Sequence, residues 1–170
     1  MILDPRSSIL DPRSSILDPR SSILDPRYHT TVKSSYGAYE LDTELSRIRF
    51  DLVHAWLTET YWSPGVSREQ VMRAAENSSI VVAAYLDDEQ AAYLRVVSDR
   101  ASFAWICDVY VGEAHRKKGL AKAMVRFVLD HPDHKGLRRW LLATRDAHSI
   151  YSECGFEPLP LPERWMSRSG

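Results

Sequence analysis

One stretch of the chain reads DVYVGEAHRKKGLA from Asp108 to Ala121. It begins as an apolar strand, continues through a short loop with three consecutive cations and a glycine, and enters a helix. Main-chain N–H groups at a helix N-terminus lack partners within the helix, and the helix dipole adds about half a positive charge there. Gly119 would let an anion approach the backbone closely. The stretch predicts a cradle for a diphosphate, with an ordinary solvated helix start as the alternative.

The elements before this stretch follow from the periodicity of apolar residues. We predict a strand over 36–41, a helix capped at Asp42 and Thr43, a second helix whose capping box is Ser67 with Gln70, and strands over 79–86, 90–97 and 103–111. Short polar turns separate the last three strands. This spacing favours an antiparallel meander.

The elements after the stretch return to strand and helix in alternation. The pattern predicts a helix from Leu120 that ends before Pro132, a strand over 140–144, a helix over 147–154 and an extended proline-rich end. A strand–helix–strand order requires a parallel pair, whereas the meander is antiparallel. We therefore expect an α/β fold in one domain over 28–170, with a central mixed β-sheet and helices on both faces.

The first 27 residues repeat the unit ILDPRSS three times after Met1 and then begin it again. One proline in each unit excludes a coiled coil, because an interior proline costs about 3 kcal/mol of helix stability. The units are identical, and Asp-Pro and Arg-Ser are what common cloning sites encode. We interpret residues 1–27 as an artificial linker.

Composition excludes several classes of protein. The formal net charge of the 170 residues is −1, which argues against a dedicated nucleic-acid binder. No apolar run approaches the ~18 residues that span a bilayer, and no signal peptide is recognisable. The two cysteines, far apart in the chain, are expected to be reduced, which favours a cytoplasmic protein. His131 and His134 flank a proline and have no third ligand nearby, so no metal site is expected.

A second motif lies about thirty residues after the first and reads AHSIYSECGF from Ala147 to Phe156. It places one tyrosine on a short helix that ends in Gly-Phe. Together, Arg-x-x-Gly-x-Ala after a strand and Ala-x-x-x-Tyr-x-x-x-Gly-Phe resemble the GNAT superfamily of acetyl-CoA-dependent N-acetyltransferases. The resemblance covers residues 36–165, and Ala121 stands where the family often has a second glycine.

The resemblance implies roles for both motifs. It implies that acetyl-CoA is a co-substrate whose pantetheine arm contacts main-chain groups of Val109, Tyr110 and Val111, between two splayed parallel strands. The diphosphate would be held by amides of the loop and the helix start, which are those of Arg116, Lys117, Lys118, Gly119, Leu120 and Ala121. The second motif would contribute Ala147 to the coenzyme site and Tyr151 to the thioester. The N–H of Val111 or of a neighbour would polarise the thioester carbonyl, and Tyr151 would protonate the departing thiolate.

The group that accepts the amine proton is less well defined by the sequence. Asp108 is the first candidate, because family members often carry a carboxylate at or beside this position. A purely structural pairing of Asp108, for instance with Arg145, is the alternative. Glu113, His115 or a chain of water molecules could also serve.

The sequence leaves the acceptor open, as a small molecule or a peptide amine. Aromatic residues around the first helix, together with His54, could form a wall for an amine or simply fill the core; they are Trp56, Tyr61 and Trp62. We expect no nucleic-acid or membrane partner, and edge strands near the proline-rich end would suit a homodimer. The main alternative to an enzyme is a GNAT-fold module that binds acyl-CoA as a sensor without catalysis.

Overall fold

The computed structural model describes residues 31–168. The repeat that we interpret as a linker lies outside these residues. Six strands are described: Lys33–Tyr36 (β1), Tyr39–Asp42 (β2), Ile80–Leu86 (β3), Glu89–Ser98 (β4), Phe103–Val111 (β5) and Arg139–Leu141 (β6). Four α-helices accompany them: Phe50–Thr58 (α1), Arg68–Glu76 (α2), Leu120–Leu129 (α3) and His148–Ser152 (α4).

The strands form one sheet in the order β1-β2-β3-β4-β5-β6. Every neighbouring pair is antiparallel except β5 and β6, which run parallel. The helix α3 makes the crossover between this parallel pair, as a parallel connection requires. The predicted mixed sheet, with its meander of β3, β4 and β5, is confirmed.

The helices cover both faces of the sheet, because side chains alternate along each strand. On β3, Val82 and Ala84 pack with α3 residues such as Met124 in one buried cluster. Val81 and Ala83 join a second cluster, which contains residues of α1 and α2. The parallel edge of the sheet and α3 with α4 therefore enclose one side of the molecule, and α1 with α2 the other.

The start of the domain differs from the sequence prediction. Two strands joined at Gly37, which has φ +59°, replace the single predicted strand over 36–41. The helix expected from Asp42 begins only at Phe50, after a 3₁₀ turn over Leu45–Arg47. Arg47 is held back on β2 by Asp42 and Glu40, so the chain leaves the turn in an extended conformation before α1.

The end of the domain also differs in detail. The strand expected over 140–144 is the shorter β6, and the helix expected over 147–154 is the shorter α4. The proline-rich end contains a 3₁₀ turn over Pro162–Arg164 and no strand within the described residues. Prolines at every second position deprive it of ladder donors. None of the described helices combines the length and the apolar character that a membrane span needs.

Candidate active site

A β-bulge distorts the central pair of strands beside the first motif. Tyr93 pairs with Tyr110, but Arg95 pairs with Cys107, so β5 contains one more residue than β4 between these positions. Asp108 lies in the bulge and has a left-handed backbone with φ +53°. Bulges of this kind re-aim side chains and are common beside functional sites.

Beyond this bulge β5 has no strand pairing on the β6 side, and we call this open edge the cleft. The two strands pair only where residues 103–105 of β5 meet residues 139–141 of β6. β5 then continues to Val111, whereas β6 has ended. The short pairing leaves room for the splayed parallel pair that the resemblance implies, which stays a prediction.

Main-chain groups of β5 point into the cleft at alternate residues. The Gly112 N–H donates to the Ala91 carbonyl on β4, at 2.9 Å. Because successive N–H groups of a strand point to opposite sides, those of Val111 and Val109 point away from β4. The main-chain groups of Tyr110 point toward β4, and its ring stacks on Trp56 of α1. Of the three residues expected to contact the pantetheine arm, the geometry therefore favours Val109 and Val111 but not Tyr110.

The loop between β5 and α3 has the backbone of an anion-binding nest. Lys117 has φ +61° and Gly119 has φ +77°, and α3 begins at Leu120. Left-handed residues alternating with ordinary ones turn successive N–H groups toward one concave side. A left-handed lysine costs about 1 kcal/mol relative to glycine, so this conformation is maintained against its local preference. The loop and the helix start fit a diphosphate.

The Arg116 side chain turns back onto β5 rather than toward the nest. Its Nε donates to the Val111 carbonyl at 3.0 Å, and its Nη2 donates to the Tyr110 hydroxyl at 3.3 Å. Its guanidinium also lies over the Tyr110 ring, 5.5 Å from the centroid. Arg116 therefore braces the end of β5. Its main-chain N–H donates to the Glu113 carbonyl at 3.3 Å, so of the six amides expected at the diphosphate this one already has a partner.

Tyr151 lies on α4 and packs against the core cluster on that face of the sheet. Its carbonyl accepts from the N–H groups of Cys154 and Phe156, at 2.9 and 3.1 Å, across the left-handed Gly155. The ring of Phe156 meets that of Tyr151 edge to face at 6.1 Å. Burial raises the pKa of Tyr151 to about 12. The Gly-Phe terminus thus fixes a tyrosine that stays protonated at neutral pH.

Ala147 begins the same short helix. Its N–H donates to the Thr144 side chain at 3.0 Å, and its carbonyl accepts from Ile150. The second motif therefore presents Ala147 and Tyr151 one turn apart, directly after the connection that follows β6.

Asp108 forms an ion pair on the face of the sheet that α1 covers. Its Oδ2 accepts from Arg95 Nε at 2.5 Å, and the two side chains are only 12% and 18% exposed. Arg145, the partner considered from the sequence, instead lies 3.7 Å from Asp146. Arg95 was not among the candidate site residues predicted from the sequence. A cation in the apolar strand AAYLRVV nevertheless indicates a buried partner.

The other candidates for a proton acceptor lie in the loop after β5. Glu113 is largely exposed and lies 3.6 Å from Arg116. His115 Nδ1 lies 3.0 Å from the Tyr39 hydroxyl, and the two rings meet edge to face. Both side chains belong to the loop beyond Gly112, whereas Asp108 lies within β5 itself.

The aromatic residues near α1 divide into two groups. Trp56 stacks on Tyr110, with ring centroids 5.0 Å apart, and so covers the end of β5. Tyr61 and Trp62 meet edge to face in the connection between α1 and α2. His54 belongs to neither group, because its Nε2 lies 3.0 Å from the Val66 carbonyl.

Tyr61 joins the α1 side of the molecule to the segment after β6. Its hydroxyl accepts from the Arg145 N–H at 2.8 Å, and the Arg145 guanidinium lies 3.9 Å from the centre of its ring. The sequence predicts Tyr61 as part of a possible aromatic wall, but it does not show this partner, which lies 84 residues away. This contact joins the segment that follows α1 to the segment that follows β6. The two segments lie on either side of the cleft.

Histidine and cysteine do not gather into a site in the described part of the chain. His131 and His134 are both buried, with ring centroids 5.8 Å apart, and no group of three candidate ligands is found among residues 31–168. Cys107 and Cys154 are both free thiols.

Comparison with known proteins now bears on this site. The Acetyltransferase (GNAT) family profile matches residues 39–156, which include both motifs and the cleft. The chain belongs to the GNAT acetyltransferase family. The family uses acetyl-CoA, for which the nest and the cleft provide fitting donors. No curated protein matches the sequence significantly.

Solved structures agree with the GNAT assignment. A protein of Xanthomonas campestris pv. campestris, assigned to the GNAT family, is 36% identical, with a TM-score of 0.76 over 80% of this chain and 96% of that one. Glucosamine-6-phosphate N-acetyltransferase of Arabidopsis thaliana shares the fold at 20% identity, with a TM-score of 0.58 over 78% and 99%. A Clostridium acetobutylicum protein solved with acetyl-CoA shares it at 12% identity, with a TM-score of 0.59 over 77% and 94%.

Proposed function

We propose that this GNAT protein transfers the acetyl group of acetyl-CoA directly to a primary amine, within a ternary complex of enzyme, coenzyme and acceptor. One observation carries the proposal. A cleft lined by inward-pointing main-chain groups of β5 continues into an anion-binding nest, and a protonated tyrosine follows on the other wall. Direct transfer needs positioning, a proton donor and a proton acceptor, but no nucleophile from the enzyme.

The coenzyme would be held mainly by the backbone. The main-chain groups of Val109 and the N–H of Val111 face the pantetheine arm, with Tyr110 between them, because the Val111 carbonyl already accepts from Arg116 Nε. Ala147 packs from the opposite wall. The diphosphate binds the amides from Lys117 to Ala121, because the Arg116 amide donates to Glu113. Lys117 and Lys118 add positive charge next to this loop.

The chemistry follows from the groups around the cleft. The nitrogen lone pair of the acceptor attacks the thioester carbon, and the Val111 N–H stabilises the negative charge on the carbonyl oxygen. The C–S bond then breaks, and Tyr151 donates its hydroxyl proton to the thiolate. The proton lost by the amine nitrogen passes to Asp108, directly or through water, so that the products are an amide and free CoA.

The primary test uses the full chain, acetyl-CoA and a broad panel of amines. We expect acetyl-CoA to bind in a calorimetric titration, and at least one amine to cause release of free thiol and formation of the acetylated product. Tyr151→Phe should retain the affinity for acetyl-CoA and lose turnover. If acetyl-CoA binds but no amine causes thiol release, the protein is an acyl-CoA-binding module and the proposal of catalysis is wrong.

A further inference from the structure

Tyr36 is the last residue of β1, at the edge of the sheet. It contacts the nest, the loop between β5 and α3 that is proposed to bind the diphosphate. Its hydroxyl donates to the Lys118 carbonyl at 3.2 Å, across 82 positions of sequence. The side chain is 39% exposed, so burial alone does not account for its placement. Tyr36 precedes residues 39–156, which match the family, so the match assigns it no role.

This hydrogen bond fixes the orientation of one peptide plane in the nest. In a trans peptide the carbonyl of one residue and the N–H of the next point in opposite directions. No cis peptide bond occurs among the described residues. Because Tyr36 holds the Lys118 carbonyl on its own side, the Gly119 N–H must point to the opposite side of the loop. Gly119 has no Cβ to restrict its φ, so without this hydrogen bond the plane could take other orientations.

Gly119 also depends on Tyr36 for its identity. A Cβ atom at this position would lie 2.4 Å from the Tyr36 hydroxyl oxygen, which is much closer than a real contact. Its φ of +77° disfavours other residues independently. The chain therefore combines a glycine that exposes its N–H with a tyrosine that packs against its Cα.

We infer that Tyr36 is a positioning residue for the coenzyme diphosphate, acting through the Lys118–Gly119 peptide rather than by touching the coenzyme. The inference rests on the proposed function, because it assumes that this loop binds the diphosphate of acetyl-CoA. Its consequence is specific: loss of the Tyr36 hydroxyl should weaken binding of any ligand in proportion to its use of the diphosphate.

The test compares Tyr36→Phe with the wild type on two acetyl donors. Acetyl-CoA contains the diphosphate, and S-acetylpantetheine lacks it. For Tyr36→Phe we expect the KM and Kd of acetyl-CoA to rise about five-fold, as the loss of one hydrogen bond suggests, with kcat unchanged. The KM of S-acetylpantetheine should not change.

Tyr85→Phe is the matched control. The Tyr85 hydroxyl also donates to a main-chain carbonyl, that of Arg47, at 2.9 Å, but on the α1 side of the sheet. The Tyr85→Phe variant should lose thermal stability without any change in the KM of acetyl-CoA. A thermal melt of Tyr36→Phe within a few degrees of the wild type shows that the variant is folded.

The outcomes separate this inference from the proposed function. An unchanged acetyl-CoA affinity in Tyr36→Phe, or an equal rise in KM for both donors, overturns the role of Tyr36 and leaves acetyl transfer standing. If the wild type binds no acetyl-CoA, the proposed function fails, and the inference falls with it.

Discussion

Arg95 Nε lies 2.5 Å from Asp108 Oδ2, and this ion pair spans β4 and β5 where the bulge shifts their register. Both side chains are mostly buried. Removing one member of such a pair leaves an uncompensated charge, which typically costs 3–5 kcal/mol. Asp108 is therefore anchored by structure at the same place where the proposed reaction needs a proton acceptor.

Asp108→Asn keeps an oxygen for Arg95 but removes both the base and the negative charge of the pair, so a thermal melt must accompany the kinetics. We expect kcat to fall about 100-fold, the size typical of general-base catalysis, with little change in the KM of acetyl-CoA. Steady-state thiol release measures both constants. Asp133→Asn is the control, since Asp133 lies 3.9 Å from Arg100 and outside the cleft. A kcat within three-fold of the wild type would mean that Asp108 only pairs with Arg95.

Tyr151→Phe removes the proposed proton donor and leaves the ring that packs on Phe156. We expect kcat to fall by about 100-fold while the Kd of acetyl-CoA stays the same. Because burial raises the pKa of Tyr151 to about 12, the hydroxyl remains protonated through the usual pH range. The pH profile of wild-type kcat should therefore show no fall attributable to Tyr151 below about pH 10. Retained turnover in the variant would show that the thiolate leaves without this proton.

Two glycines with nearly the same backbone test the nest. Gly119 has φ +77° and Gly136 has φ +80°, but only at Gly119 would a Cβ meet another atom within 4 Å. Each change to alanine costs about 1 kcal/mol of stability through the left-handed backbone, and Gly119→Ala must also displace the Tyr36 hydroxyl. Gly119→Ala should also weaken acetyl-CoA binding at least ten-fold, and Gly136→Ala should not. Equal affinities of the two variants in calorimetry would place the diphosphate elsewhere.

His134 makes the fold sensitive to acid. It lies buried between the Ser79 hydroxyl, 3.0 Å from Nε2, and the Val128 carbonyl, 3.3 Å from Nδ1. Burial lowers its pKa in the folded state below the usual 6.5. The unfolded chain therefore binds a proton first as the pH falls, so the stability that neutral His134 gives above about pH 6.5 is progressively lost below it.

The measurement is the free energy of unfolding in urea between pH 7.5 and 5. The wild type should lose stability on acidification more steeply than His134→Asn, whose side chain does not titrate. Parallel pH dependences for the two proteins would show that another group causes the loss.

Much of the fold can be predicted from local sequence. Where the prediction is wrong, the error has a physical cause. The bounds of β5 were predicted correctly because its apolar run lies between clear turn residues. The first hairpin was missed because Gly37 is the only turn residue between two short strands. The late start of α1 depends on Arg47, which pairs with β2, and local periodicity cannot show such a partner.

The site divides in the same way. The loop and the Tyr151 helix are local motifs, so the sequence places them on the correct elements. The bulge at Asp108, the Arg95 partner and the Tyr36 contact depend on strand register and on residues far apart in the chain. Only the folded sheet brings these residues together.

A crystal structure of the protein with acetyl-CoA tests the central claim most directly. We expect the pantetheine arm in the cleft beyond β6, the thioester oxygen within hydrogen-bond distance of the Val111 N–H, and the diphosphate on the Gly119 N–H. A groove of about 680 Å³ between β1 and α3 is the competing location; it shares Lys118 and Gly119 with the nest but extends along α3 toward Phe127. A coenzyme bound in that groove, with its thioester out of reach of Val111 and Tyr151, would contradict the account.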